Sequence, residues 1–113
     1  MEKKIVKAYA KNVRLAAEKV RRTLALIRGK NAQEALMILR YTPNRPSEAV
    51  YKVLASAIAN AEHNFGLDMD KLVVYTAQAD QGPFMRRFRP VSKGSAHPFR
   101  HHTCHITVTV CEQ

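Results

Sequence analysis

The residues that most readily suggest chemistry lie near the carboxyl end of the sequence. Four side chains of the kinds that bind zinc occur close together: His101, His102, Cys104 and His105. On a β-strand, His101 and His105 face one side roughly 13 Å apart, while the other two face the opposite side. One ion cannot collect them in that geometry, so we expect no metal site. Cys104 and Cys111, seven positions apart in the same predicted strand, are too distant to form a disulfide.

Two carboxylates form a second candidate site. Asp68 and Asp70 flank a turn and could act as a general acid and base. The sequence contains no accompanying nucleophile motif, glycine-rich phosphate loop or paired general acid. We therefore interpret these carboxylates as hydrogen-bond acceptors of the turn. The sequence predicts neither an enzyme nor a cofactor.

Positive charge is the strongest chemical signal. The 113 residues include 19 Lys and Arg against 9 Asp and Glu, a formal net charge of +10. No acidic residue occurs between Asp80 and Glu112, and none between Glu2 and Glu18. A hydrophobic content of 46% is that of a folded chain. A folded surface with this charge indicates a polyanionic partner, either nucleic acid or an anionic membrane surface.

The first half of the chain must position part of this charge. Residues 5–11 alternate apolar and polar side chains, as in a half-buried strand with a basic outer face. Apolar residues then recur at helical spacing in residues 13–27, 31–41 and 44–64. Asn31 is suited to cap the second helix, and the third helix starts near Asn44 and tolerates Pro46 in its first turn. We expect one strand followed by three helices.

The second half changes to a strand-like pattern. Residues 72–79 and 105–111 are rich in β-branched side chains. Between them, two basic segments surround a stretch with Pro90, Gly94 and Pro98, which predicts a reversal. The result is one long antiparallel hairpin over residues 80–110 with its tip near 90–98. An isolated two-stranded ribbon is marginally stable in water, so a partner must hold it.

These elements predict an α+β fold. We expect three helices packed on a small antiparallel sheet, with a long extended β-hairpin arm. The length suits a single domain over residues 1–113. Arginines on the arm can fork onto phosphates, and its phenylalanines can stack on bases. The basic excess lies on strands and turns rather than opposite a wide apolar helix face, so a membrane partner is not expected.

Several segments resemble the L-twenty-two family of large-subunit ribosomal proteins. They are Arg-Gly-Lys at 28–30, Ser-Ala-Ile-Ala-Asn-Ala-Glu-His-Asn at 56–64, Gly-Pro at 82–83, Arg-Phe-Arg-Pro at 87–90 and Thr-Cys-His-Ile-Thr-Val at 103–108. The likeness runs in order from about residue 11 to residue 110. Its Thr-Cys-His-Ile-Thr form is more similar to cyanobacterial and plastid members than to enteric ones.

The resemblance implies a structural constituent of the large ribosomal subunit, in bacterial cytoplasm or plastid stroma. Such a protein binds large-subunit rRNA and neighbouring ribosomal proteins, helps assembly, and sends its arm to the polypeptide exit tunnel. The arm tip would meet the nascent polypeptide, and no small-molecule substrate is implied. With the charge map, it predicts these rRNA-binding residues: Lys7, Lys11, Arg14, Lys19, Arg21, Arg22, Arg28, Lys30, Arg86, Arg87, Phe88, Arg89, Lys93, Arg100, His101, His102 and His105. The predicted tunnel tip is Pro90, Val91, Ser92, Lys93, Gly94, Ser95 and Ala96.

The sequence departs from the family at two places. The usual Ser-Pro before the first helix is Ala16-Ala17 here, so a cap worth about 1 kcal/mol is missing or the helix starts earlier. At the tip, the usual Pro-Arg-Ala-x-Gly-Arg-Ala is Pro-Val-Ser-Lys-Gly-Ser-Ala at 90–96, and histidines at 101–102 replace common Lys or Arg.

Two other functional classes stay open from the residues alone. A free-standing architectural protein could grip a nucleic-acid groove with a basic β-ribbon. An RNA-modifying enzyme is the other, and the lack of a cofactor or nucleophile motif argues against it. Co-sedimentation with ribosomal subunits at moderate salt separates the first class from a ribosomal protein.

Overall fold

The computed structural model describes residues 4–82, 85–90, 96–101 and 103–112, with the backbone alone for 85–90 and 96–101. The elements in chain order are β1 (Ile5–Val13), α1 (Ala17–Ile27), α2 (Ala32–Arg40), α3 (Arg45–Phe65), a short 3-10 helix (Met69–Lys71), β2 (Leu72–Gln81), β3 (Met85–Pro90), β4 (Ala96–His101) and β5 (Cys104–Glu112). This order confirms the predicted α+β class.

The last strand, β5, is the centre of a three-stranded antiparallel sheet, with β1 on one side and β2 on the other. The register aligns Val6 with Val110 and Ala79 with Ile106. Because facing residues in an antiparallel pair point to the same side, these positions form one continuous apolar face. All four side chains are buried.

The three helices cover this apolar face and form the core with it. The largest fully buried apolar side chains come from both layers: Val20, Leu24, Ile27, Val50, Leu54, Leu72, Val74, Ile106, Val108 and Val110. No described helix covers the opposite face, where Ile5 and Tyr9 remain 50% and 61% exposed. The sheet therefore has one buried face and one open face.

Two of the helices begin at asparagine caps, and the sequence predicts the first of these caps. The Oδ1 atom of Asn31 accepts a hydrogen bond from the Gln33 N–H at 2.9 Å, and that of Asn44 accepts one from the Ser47 N–H at 2.9 Å. Helix α3 ends at Gly66, whose φ of +63° lies in the left-handed region that glycine adopts without strain. Local capping chemistry therefore sets these boundaries.

The first helix starts later than its apolar pattern suggests. Val13 belongs to β1 and pairs with Cys104 across the sheet, so the helix begins only at Ala17. The N-cap position is Ala16, which makes no side-chain cap hydrogen bond. The missing cap is thus confirmed, and the alternative of an earlier start is wrong because pairing with β5 takes the preceding residues.

The arm is an antiparallel hairpin, as predicted. Strand β3 pairs with β4 in a register that runs from Met85 opposite His101 to Pro90 opposite Ala96. The molecule measures 66 × 25 × 19 Å, and its radius of gyration is 17.2 Å. A compact chain of this length has a radius of gyration of about 13 Å. The predicted tip residues at 91–95, and His102, lie outside the described residues.

A buried serine in the first turn of α3 provides a test of this packing. Ser47 is 1% exposed, and its hydroxyl has no hydrogen-bond partner among the described residues. Because a buried unpaired hydroxyl is costly, Ser47→Ala should raise the free energy of unfolding by about 1 kcal/mol. Urea denaturation would measure this, with exposed Ser56→Ala on the same helix as the control for helix propensity alone. A loss of stability in Ser47→Ala would mean that the hydroxyl has a partner.

Candidate nucleic-acid interface

The open sheet face carries two lysines and one aromatic ring on β1. Strand alternation sends Val6 and Ala8 into the core and leaves Lys7, Tyr9 and Lys11 on the opposite side. The Lys11 ammonium lies 5.4 Å from the centre of the Tyr9 ring, within the range of a cation–π contact. This pair offers a stacking surface beside a positive charge, an arrangement suited to RNA.

A bulge in β2 adds a second exposed ring to the open face. The register of β2 against β5 shifts between Val74 and Thr76, which leaves Tyr75 without a partner and 57% exposed. The Thr109 hydroxyl accepts the Thr76 N–H at 3.0 Å and lies 2.6 Å from the Thr76 hydroxyl. The irregular strand is therefore satisfied by hydrogen bonds, and the bulge is a stable feature of this face.

Two of the predicted RNA-binding arginines, Arg21 and Arg28, hold helix α1 to the sheet. Strand β2 is an edge of the sheet, so the carbonyls on its outer side lack strand partners. Arg21 Nε donates to the Ala79 carbonyl at 3.0 Å, and Arg28 donates through Nε and Nη2 to the Ala77 carbonyl at 3.1 and 2.8 Å. These contacts cover the edge and fix α1 against it.

The backbone after α1 closes the rest of the same edge. The Gly29 N–H donates to the Val74 carbonyl at 3.1 Å, and the Val74 N–H donates to the Lys30 carbonyl at 2.9 Å. The other predicted cations of this region, Lys19, Arg22 and Lys30, are exposed. Arg22 forms only a 3.4 Å pair with Glu18, both side chains being nearly 80% exposed, which adds little stability. These exposed cations are free to meet phosphates.

A conservative substitution separates the structural role of Arg28 from a role in RNA binding. Arg28→Lys keeps the charge and loses the forked hydrogen bonds, so we expect the free energy of unfolding to fall by about 1 kcal/mol with RNA affinity nearly unchanged. Thermal unfolding and filter binding would measure the two quantities, with exposed Arg22→Lys as the control. If RNA affinity falls and stability does not, Arg28 forks onto a phosphate instead.

The root of the arm is held by His105 and Gly82. The Nδ1 atom of His105 accepts a hydrogen bond from the Asn12 N–H at 3.1 Å. Asn12 has a φ of +57°, in the left-handed region. The Gly82 N–H donates to the Thr103 carbonyl at 2.8 Å. A Cβ atom at position 82 would lie 2.6 Å from the Thr103 hydroxyl, so a larger residue there would displace the Thr103 side chain or the backbone beside it. His105, predicted to bind RNA, therefore also positions the arm.

Two of the four zinc candidates, Cys104 and His105, have described side chains. Cys104 lies in the core, where burial raises the pKa of its thiol and the nearby Arg21 charge lowers it in part. His105 points to the other side of the sheet and already accepts the Asn12 N–H. No three potential metal ligands come together within the part of the chain that the structure describes. The side chains of His101 and His102 lie outside that part.

The acidic pair serves the turn, as predicted. The Asp68 carboxylate accepts the Asp70 N–H at 3.0 Å and caps the 3-10 helix. The Asp70 carboxylate accepts a hydrogen bond from Gln33 Nε2 at 2.8 Å. Both acids are therefore engaged in local hydrogen bonding.

None of the described helices combines the length and apolarity needed to cross a bilayer.

The arm places its arginines at defined register positions. Arg86 stands directly opposite Arg100, Arg87 opposite Phe99, and Arg89 opposite His97. Like charges at directly opposite positions destabilise an antiparallel pair in the absence of counter-charge. A basic ribbon with this register therefore needs a polyanion along its length to offset the repulsion between its positive charges.

The structure also assembles a basic groove that the sequence reading missed. Arg14, a predicted RNA-binding residue, lines a cavity with Arg45 and Lys52, neither of which was predicted. The seven-residue interval between Arg45 and Lys52 puts both on one face of α3, and that spacing is the signal that could have found them.

Comparison with known proteins agrees with this arrangement. The model of the family described as ribosomal protein L22p/L17e matches residues 8–111. The large ribosomal subunit protein uL22 of Latilactobacillus sakei subsp. sakei is 55% identical over 106 residues, which cover 94% of this chain and 91% of that protein. The protein of the same name from Nostoc punctiforme is 54% identical over 105 residues, covering 93% and 89%. A lactobacillus and a cyanobacterium thus match almost equally, and the chain belongs to the ribosomal protein L22p/L17e family.

Proposed function

We propose that this chain is a structural constituent of the large ribosomal subunit that binds large-subunit rRNA and helps the subunit assemble. Its membership of a ribosomal protein family and its relatives' names, large ribosomal subunit protein, support this role. Its partners are rRNA and neighbouring ribosomal proteins, and its work is structural rather than catalytic.

The extended basic arm is the observation that carries the proposal. The hairpin gives the molecule a length of 66 Å against a width of 25 Å, and the sequence between Asp80 and Glu112 contains no acid. A ribbon of this kind buries little of its own surface, so RNA must supply its packing and its counter-charge. The folded helices and sheet then form the base from which the arm penetrates the rRNA.

The arm tip has a more specific role in this proposal. We infer that the loop at 90–96 lines the polypeptide exit tunnel and meets the nascent chain. Support comes from the family likeness and from the Lys-Gly pair at 93–94, which matches the family loop. Several of the other tip residues differ from the family pattern, so this role depends chiefly on the place of the loop in the sequence, between β3 and β4.

Co-sedimentation distinguishes a ribosomal protein from a free-standing nucleic-acid binder. A tagged chain expressed in bacteria should travel with the large subunit, and not with the small subunit, at moderate salt and dissociating magnesium concentration. A free-standing binder would remain near the top of the gradient or distribute over all RNA. That second pattern would contradict the proposed function.

A further inference from the structure

Two cavities beside α3 lie apart from the arm and reach the edge of the open sheet face at Tyr9. One, of about 810 Å³, is lined by the end of α2, the α2–α3 connection and α3. A second, of about 430 Å³, is lined by the end of β1, the β1–α1 connection and α3. The two share Arg45, Glu48 and Lys52, so they adjoin along α3, and together they are here called the α3 groove.

The α3 groove has a strong excess of positive charge. Its cationic lining residues are Arg14, Arg40, Arg45 and Lys52. Glu48 is the one carboxylate that lines either cavity. The only salt bridge within the described part of the chain joins Arg22 to Glu18, so none of these four cations is neutralised by an acid there. The groove therefore presents free positive charge along its length.

An aromatic ring lies at each end of the α3 groove. Tyr9 lines the end near β1 and is 61% exposed. At the other end, the half-buried Tyr51 lines the cavity. Cations that track a backbone, flanked by rings on which bases stack, are the features by which proteins hold single-stranded nucleic acid.

We propose that the α3 groove binds a single-stranded segment of rRNA, as a contact separate from the arm. Arg45 and Lys52 lie seven residues apart on α3, roughly 10 Å along its axis, and can neutralise phosphates of one strand. The aromatic rings favour RNA over an acidic peptide as the occupant. The choice of rRNA as the ligand rests on the proposed function, but the residues that make the contact do not include those of the arm.

Charge substitutions in the full chain test this groove against the arm. We expect the triple variant Arg40→Ala, Arg45→Ala and Lys52→Ala to reduce the slope of log affinity against log salt by about 2 for a large-subunit rRNA transcript, since each single-strand phosphate contact contributes about 0.7. Removing the one acid should act in the opposite direction: Glu48→Gln should tighten binding several-fold. Glu62→Gln, the same charge change near the end of α3, should have little effect.

A tethered cleavage reagent tests the location without weakening binding. Both native cysteines are buried, at 0% and 4% exposure, so Ser56→Cys in the groove provides the one accessible thiol. An iron chelate on this thiol should cut the bound transcript at one discrete segment. The same chelate on exposed Lys71→Cys, on the 3-10 helix, should not cut that segment.

The results of these experiments distinguish a failure of the α3-groove proposal from a failure of the proposed function. If the groove triple leaves the salt slope unchanged while an arm triple at 86, 87 and 89 lowers it, the groove proposal is wrong and rRNA binding stands. If the wild-type chain shows no salt-dependent binding, both are wrong. A photoreactive group can also be attached to the cysteine of the Ser56→Cys variant. If this group crosslinks to a protein rather than to RNA in assembled subunits, the occupant is a protein and the proposal is overturned.

Discussion

Replacing Arg86, Arg87 and Arg89 together by alanine should make rRNA binding much less sensitive to salt. Each arginine that neutralises a phosphate releases counterions, so three lost contacts should reduce the slope of log affinity against log salt by about 2 to 3. When salt rises from 50 to 200 mM, the factor by which affinity falls should then be roughly 30 times smaller for the alanine variant than for the wild-type chain. Filter binding or fluorescence anisotropy across a salt series would measure it.

A charge-preserving variant is the matched control for this arm triple. Replacing the same three residues by lysine keeps the charges and removes the forked geometry, so the slope should stay near that of the wild type while the affinity falls modestly. An unchanged slope in the alanine variant would remove the arm from the RNA interface. The register, with Arg86 directly opposite Arg100, makes that outcome unexpected.

Changes at the tip should alter the exit tunnel and leave the subunit assembled. Deleting residues 92–96 shortens the loop, and Gly94→Val puts a branched side chain where the family pattern keeps glycine. Assembly should remain largely intact, because the folded base and the arginines at 86–89 are retained. The response of ribosomes to macrolide antibiotics and to an arrest peptide should differ from wild type.

Sucrose gradients and translation assays read these two effects separately. Lys93→Arg keeps the charge and the loop length, so it should behave like wild type in both assays. If assembled deletion variants respond to antibiotic and arrest peptide as wild type does, the tip does not shape the tunnel. If large subunits fail to form, the tip itself contributes to assembly, and the division between base, arm and tip is wrong.

Local patterns in the sequence determined most of the elements. Helical spacing predicted α2 and α3 closely, and the capping residue Asn31 predicted the start of α2, because capping and amphipathic periodicity depend on neighbours a few residues away. Alternation and the reversal near 90–98 predicted the paired strands of the arm for the same reason. The predicted start of α1 was wrong because a tertiary contact determines it: Val13 pairs with Cys104, far along the chain.

The tertiary structure alone decided how these elements serve the interface. Only the folded chain places β5 between β1 and β2, and thereby creates the edge whose carbonyls accept from Arg21 and Arg28. The sequence assigned those arginines to RNA by charge, because charge is visible in a sequence and an unpaired carbonyl on a distant strand is not. The same holds for His105, whose partner Asn12 is 93 residues away. The α3 groove likewise arises where the connections before α1 and α3 meet one helix face. Composition determined that the protein is basic, and long-range packing decided which cations hold the fold and which remain free for RNA.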